Sequence, residues 1–173
     1  MSAPPELGTA EGITLSPAQT TTAQNVVLIF RGQCTPSILD SFSESCIFED
    51  PFAHAVGRRE WSAQFYGLAK LFEVETSNEV VVLAEEGKIA IDCDIEYKMK
   101  AMKKVVNWKT TGQLYVETDA EGKVVRLEDR WERDGVLLKE KFWGVRNFFR
   151  RQNARMFPIF ISIPKPTDER KNR

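Results

Sequence analysis

The stretch Ile89-Ala90-Ile91-Asp92-Cys93-Asp94-Ile95-Glu96-Tyr97 alternates without a break: Ile89, Ile91, Cys93, Ile95 and Tyr97 fall on one face, and Asp92, Asp94 and Glu96 on the other. A period of two is that of a β-strand with one face on a core and one in water. Val80–Ala84 reads as the strand before it, with the turn at Glu86 and Gly87. On the other side, the spacing predicts a strand over about Val105–Glu117, with Val106, Trp108, Leu114 and Val116 on one side. A hairpin loop at Asp119–Gly122 leads to a last strand, Val124–Trp131, in which Val125, Leu127, Asp129 and Trp131 share a face. Upstream the period changes to the helical one. Val26, Val27, Ile29 and Phe30 form an apolar stripe after candidate N-caps at Thr20–Thr22, and Gly32 stops it. A short helix is expected from about Thr35 to Ser43, with Pro36 in its first turn. Trp61, Phe65, Leu68 and Phe72 mark the buried face of a third helix over about Arg59–Phe72. Between these, Cys46–Phe48 reads as a short strand that Pro51 ends. Helices first and a run of consecutive strands afterwards indicate an α+β fold.

The two ends differ in composition from this body. Residues 1–19 mix Pro4, Pro5, Gly8, Gly12 and Pro17 with Ser and Thr and are expected to be a flexible leader. Residues 20–135 form the expected domain, and 136–173 a basic C-terminal segment. Those last 38 residues carry ten Lys or Arg against three Asp or Glu, leaving 14 against 22 in the remainder. The net charge of −1 thus conceals a basic appendage on an acidic body, an asymmetry that points to an electrostatic partner. Leu138, Phe142, Val145, Phe149 and Met156 approximate one helical stripe over Leu137–Phe157, with Lys139, Lys141, Arg146, Arg150, Arg151 and Arg155 elsewhere. An extended arm is expected from Pro158 through Ile159–Ile163 to Pro164.

Composition also restricts the chemistry. Cys34, Cys46 and Cys93 are scattered and odd in number, and His54 is the single histidine, so neither a disulfide framework nor a thiolate or imidazole metal site is indicated. No apolar run approaches the roughly 18 residues that span a bilayer, and no basic-then-apolar leader opens the chain. A cytoplasmic location is expected. No cofactor motif is present.

At Glu49-Asp50-Pro51-Phe52 the sequence resembles the NTF2-like superfamily, most closely the ketosteroid isomerases and SnoaL-like proteins. The run from Phe42 through Phe48, then Gly57, Arg58, Phe65 and Tyr66, carries the same likeness, which extends over roughly Thr20–Trp131. The resemblance implies a cone of three N-terminal helices on a curved, mainly antiparallel sheet, enclosing an apolar pocket. It puts Asp50 on the aspartate that shuttles a proton between carbon positions of a steroid enone. The family's oxyanion tyrosine aligns near Val26 and its protonated aspartate partner with Leu114. Neither residue donates a hydrogen bond, and loss of one such donor typically costs about 100-fold to 1000-fold in rate. Asp129 takes a position that in the family holds a small apolar residue.

Each candidate has a plainer reading beside it. Asp50 is a base in an apolar wall or a brace for the turn at Pro51. His54 is a proton carrier or a surface residue. Asp129 adds a second carboxylate to the pocket if no bulge reverses its face. Trp61, Phe65, Trp108, Leu114, Leu127 and Trp131 line a pocket for a hydrophobic small molecule, or they fill a core. Arg146, Arg150, Arg151 and Arg155 face an anionic membrane or a partner, or else pack on the cone or a second subunit of a homodimer. Nucleic acid is not expected, because the acidic body would repel phosphate. Two functions follow: an acid–base isomerase, dehydratase or cyclase with Asp50 as base and His54 or Asp129 assisting, or a non-enzymatic interaction module.

Overall fold

The computed structural model describes residues 4–102, 107–131, 143–161 and 163. The helix α1 (Pro17–Phe30) is followed by a single turn, α2 (Pro36–Leu39), and later by α3 (Arg58–Leu71). The strands are β1 (Gly8–Thr9), β2 (Phe42–Glu49), β3 (His54–Val56), β4 (Phe72–Glu85), β5 (Lys88–Met99), β6 (Asn107–Thr118) and β7 (Val124–Trp131). They form one sheet in the order β1-β4-β5-β6-β7-β2-β3, antiparallel except where β1 meets β4 and β2 meets β7. A last helix, α4, runs from Trp143 to Phe160. The fold is α+β, with the helices packed on one side of a mixed sheet that does not close.

Local chemistry fixes the helix starts. The N-cap of α1 is Ser16, earlier than the threonines: its hydroxyl accepts the Gln19 N–H while the Gln19 side chain accepts the Ser16 N–H, a reciprocal capping box. Thr35 caps α2 one way only, its hydroxyl accepting the Ile38 N–H. Along β5 the apolar face is buried as the alternation implies, from Ile89 to Tyr97. Trp61 and Phe65 are buried on α3, Trp61 stacked on Phe42 with centroids 5.1 Å apart.

Three segments depart from the sequence reading. The Pro- and Gly-rich start is laid on the sheet: Gly8 and Thr9 pair with Val80 and Val81, and Leu7, Ile13 and Leu15 pack against the core. β2 begins at Phe42 and continues into a hairpin with β3, because Pro51 ends the pairing only after Glu49. α4 passes through Pro158, which was expected to begin an extended arm. Proline costs this helix one N–H near its end, and the Ile161 N–H still reaches Phe157 O at 3.1 Å. Leu137, Leu138, Lys139, Lys141, Phe142, Val105, Val106 and Pro164 lie outside the described residues, as does the side chain of Val145.

Candidate active site

Strand register brings the site together. β2 runs parallel to β7 with Glu49 opposite Glu128, which carries the next residues, Asp50 and Asp129, to the same end of neighbouring strands. Side chains alternate along a strand, so Glu49 and Glu128 turn to the outer face and Asp50 and Asp129 to the inner one. Outside, Arg126 bonds both glutamates, 2.6 Å from Glu49. Inside, Asp50 and Asp129 line a cavity of about 200 Å³.

Aromatic rings supply most of the cavity wall. Phe30, Phe48 and Phe65 pack together, with Phe30 and Phe65 edge to face at 5.5 Å, while Tyr97 stacks on Trp108 at 5.0 Å beside Trp131. Gly112 of β6 allows the backbone of β7 to approach closely beside Trp131. It faces the inner side between β5 and β7, and a Cβ at that position would meet Arg130 O at 2.4 Å. α4 contributes Asn153 and Phe157.

The two carboxyls are held differently. Asp50 Oδ1 accepts the backbone N–H of Phe52 at 2.7 Å and of Ala53 at 2.5 Å, and Oδ2 has no donor among the described residues. Asp50 thus braces the turn through Oδ1 and is also among the residues that line the cavity. Asp129 is 5% exposed, and its Oδ2 accepts from Trp131 Nε1 at 2.9 Å and from the Tyr97 hydroxyl at 3.4 Å. Burial pushes Asp50 up to about 6, against the pull of the two N–H groups and the Arg150 charge. Burial pushes Asp129 further, to about 7, against the Trp131 and Tyr97 bonds, and the Asp50 charge adds to the rise. Tyr97 is held protonated by burial and by both carboxylates. Both carboxyls are thus held above the usual carboxylate range, and the charge of Asp50 makes the proton of Asp129 harder to remove.

The other candidates are dispersed. His54 is not brought into the cavity: it pairs with Glu49 in the β2–β3 register, and its Nδ1 bonds the Glu49 carboxylate on the outer side. Glu49 is kept ionised there because His54 and Arg126 outweigh the upward push of burial. Phe65, Trp108 and Trp131 line the cavity, whereas Trp61, Leu114 and Leu127 are completely buried core. Val26 is core as well. Arg146, Arg150 and Arg151 turn inward to the loop after β2, and Arg155 is exposed near Glu60. Sequence reasoning missed Tyr97, read only as part of an apolar face. It missed Phe30, Phe48 and Phe157 too, which come from three different elements, although it included Phe65.

No family model matches the sequence, and no curated protein matches it. Among solved structures, the Δ5-3-ketosteroid isomerase of Mycobacterium sp. superposes with a TM-score of 0.54 at 16% identity, covering 66% of this chain and 93% of that one. SalBIII, an epoxide hydrolase/cyclase-like enzyme with a role in pyran ring formation in the polyether salinomycin, gives 0.56 at 17%, covering 66% and 89%. An NTF2-like protein of Anabaena variabilis gives 0.56 at 16%, covering 72% and 97%. The chain has the NTF2-like fold of the ketosteroid isomerases and related cyclases.

Proposed function

We propose that the protein binds an apolar, oxygen-bearing small molecule and moves a proton on it, in an isomerisation, dehydration or cyclisation. Asp50 is the base and Asp129 the acid. The observation that carries this reading is the pair itself: two carboxyls level in adjacent strands of one aromatic cavity, with surroundings that separate their proton affinities. Asp50 Oδ2 accepts a proton from carbon or a hydroxyl. Asp129 Oδ1, with Oδ2 occupied by Trp131, carries the proton to be returned, and Tyr97 is placed to turn its loosely held hydroxyl onto a ligand oxygen. These donors would replace the two that Val26 and Leu114 lack. The isomerase and the cyclase-like enzyme among the structural neighbours support this class of chemistry.

The test is consumption of a panel of enones and polyketide-like hydroxyketones by the full chain between pH 4 and 9. For the compound that reacts, kcat/KM is expected to rise through about 6 as Asp50 ionises and to fall through about 7 as Asp129 does, giving a narrow bell. A flat profile, or no compound consumed faster than in buffer, contradicts the reading.

A second reading, an interaction module, is favoured by the outer face of α4. There Phe148, Phe149, Met156, Ile159 and Phe160 are each at least half exposed or nearly so. A homodimer or an anionic membrane surface would cover that face. Co-flotation of the full chain with anionic vesicles, together with failure of the whole compound panel, would favour this module.

A further inference from the structure

Four successive carbonyls of the loop that carries Asp50 are each bonded by a side chain of α4. Arg146 Nη2 reaches Pro51 O at 3.4 Å, Asn153 Nδ2 reaches Phe52 O at 3.1 Å, Arg150 Nη2 reaches Ala53 O at 3.0 Å and Arg151 Nη1 reaches His54 O at 3.3 Å. Arg150 is the buried member, 4% exposed, with its Nη1 on Asn147 Oδ1 at 3.2 Å and its Nε without a hydrogen-bond partner among the described residues. A guanidinium removed from water needs carbonyls and negative charge in its place. Arg150 has both, with Glu49, Asp50 and Glu128 around it and the like charge of Arg146 opposing them. The helix is fixed from behind, since Arg151 forks onto Glu60 of α3 and the Phe157 ring fills the space beside Gly67, where a Cβ would lie 2.1 Å from it.

We propose that Arg150 is the positioning residue of this site: from α4 it fixes residues 50–54 through the Ala53 carbonyl and places a positive charge behind the Asp50 carboxyl. The Asp50 turn depends on that carbonyl, because the Asp50 N–H bonds Ala53 O at 3.0 Å while Asp50 Oδ1 accepts the Ala53 N–H. The guanidinium thus holds the carbonyl that the Asp50 N–H also bonds. Across the cavity Asp50 is faced by Asp129 and Tyr97, and Arg150 alone among the described cations lowers its proton affinity. The inference rests on the acid–base reading of the cavity, but what it states about Asp50 is measurable without turnover.

The experiment is a carboxyl-carbon NMR titration of Asp50 in the full chain and in Arg150→Gln, Arg150→Lys and Arg151→Gln. Arg150→Gln is expected to raise the Asp50 midpoint by about one pH unit, roughly tenfold in proton affinity. Arg150→Lys keeps the charge and moves the midpoint less, and Arg151→Gln leaves it in place. An unchanged midpoint in Arg150→Gln, or an equal shift in Arg151→Gln, overturns the proposal. Should Arg150→Gln fail to fold, amide exchange decides: Phe52 and Ala53 are expected to be protected in the wild-type chain and less so in Arg150→Lys, and free exchange in the wild type overturns it. If Arg150→Gln shifts Asp50 while Asp50→Asn keeps full turnover, the acid–base reading falls and the positioning role stands. The opposite pair of results removes only the positioning role.

Discussion

Replacing Asp50 by Asn is expected to lower kcat by about 10²-fold to 10⁴-fold on the compound that the wild-type chain turns over, with KM little changed. The substitution is close to isosteric, and the Asn carbonyl oxygen still accepts the Phe52 and Ala53 N–H groups that shape the turn. What it removes is the second oxygen, the one without a donor among the described residues, and with it the ability to take a proton. An effect on kcat without one on KM is the mark of an interaction made in the transition state only. Steady-state kinetics of the two chains at pH 6.5 read the result directly, and equal kcat values would take Asp50 out of the chemistry.

Replacing Asp129 by Asn is expected to make the protein more stable at pH 8 and to leave it nearly unchanged at pH 3.5. A carboxyl that titrates near 7 in the folded chain and near 3.8 when exposed binds its proton more tightly in the native state. Its contribution to stability is complete below about 4 and is lost as pH rises through 7. By pH 8 the ionised group costs the native state on the order of 4 kcal/mol, because the Trp131 and Tyr97 bonds do not compensate for its burial beside Asp50. Asn accepts the same two bonds without the charge. Thermal unfolding of both chains at the two pH values tests this: the variant should melt well above the wild type at pH 8 only. An equal offset at both values would mean that Asp129 carries no raised proton affinity.

The fold was legible wherever a local period carried it. The face of β5 from Ile89 to Tyr97 and the buried side of α3 at Trp61 and Phe65 are where alternation and helical spacing put them, since both follow from which way a side chain leaves the backbone. The site was legible only in part. Asp50 stood out because the residues around it resemble a known motif, and Asp129 because of its place on the last strand. That the two lie level depends on β2 pairing in parallel with β7, strands far apart in sequence whose register leaves no local trace. Tyr97 enters the site at the end of the inner face of β5, where it stacks on Trp108 of the neighbouring strand. The basic residues of α4 left two readings open in the sequence, a surface for a membrane or partner and packing on the cone, since charge in a helical pattern does not say which way it faces. Here the partner of Arg146, Arg150 and Arg151 is the chain's own loop. Composition misled at the start of the chain, where two residues between prolines and glycines suffice to pair with β4.

The central claim is that one cavity holds a base and an acid, set apart by their surroundings. It is tested most directly by following the side-chain carboxyl carbons of Asp50 and Asp129 by NMR in the wild-type chain from pH 3 to 9. Asp50 is expected to ionise near 6 and Asp129 near 7, with the second midpoint falling when Asp50 is replaced by Asn. Two carboxyls that both ionise near 4, each indifferent to the other, would contradict it.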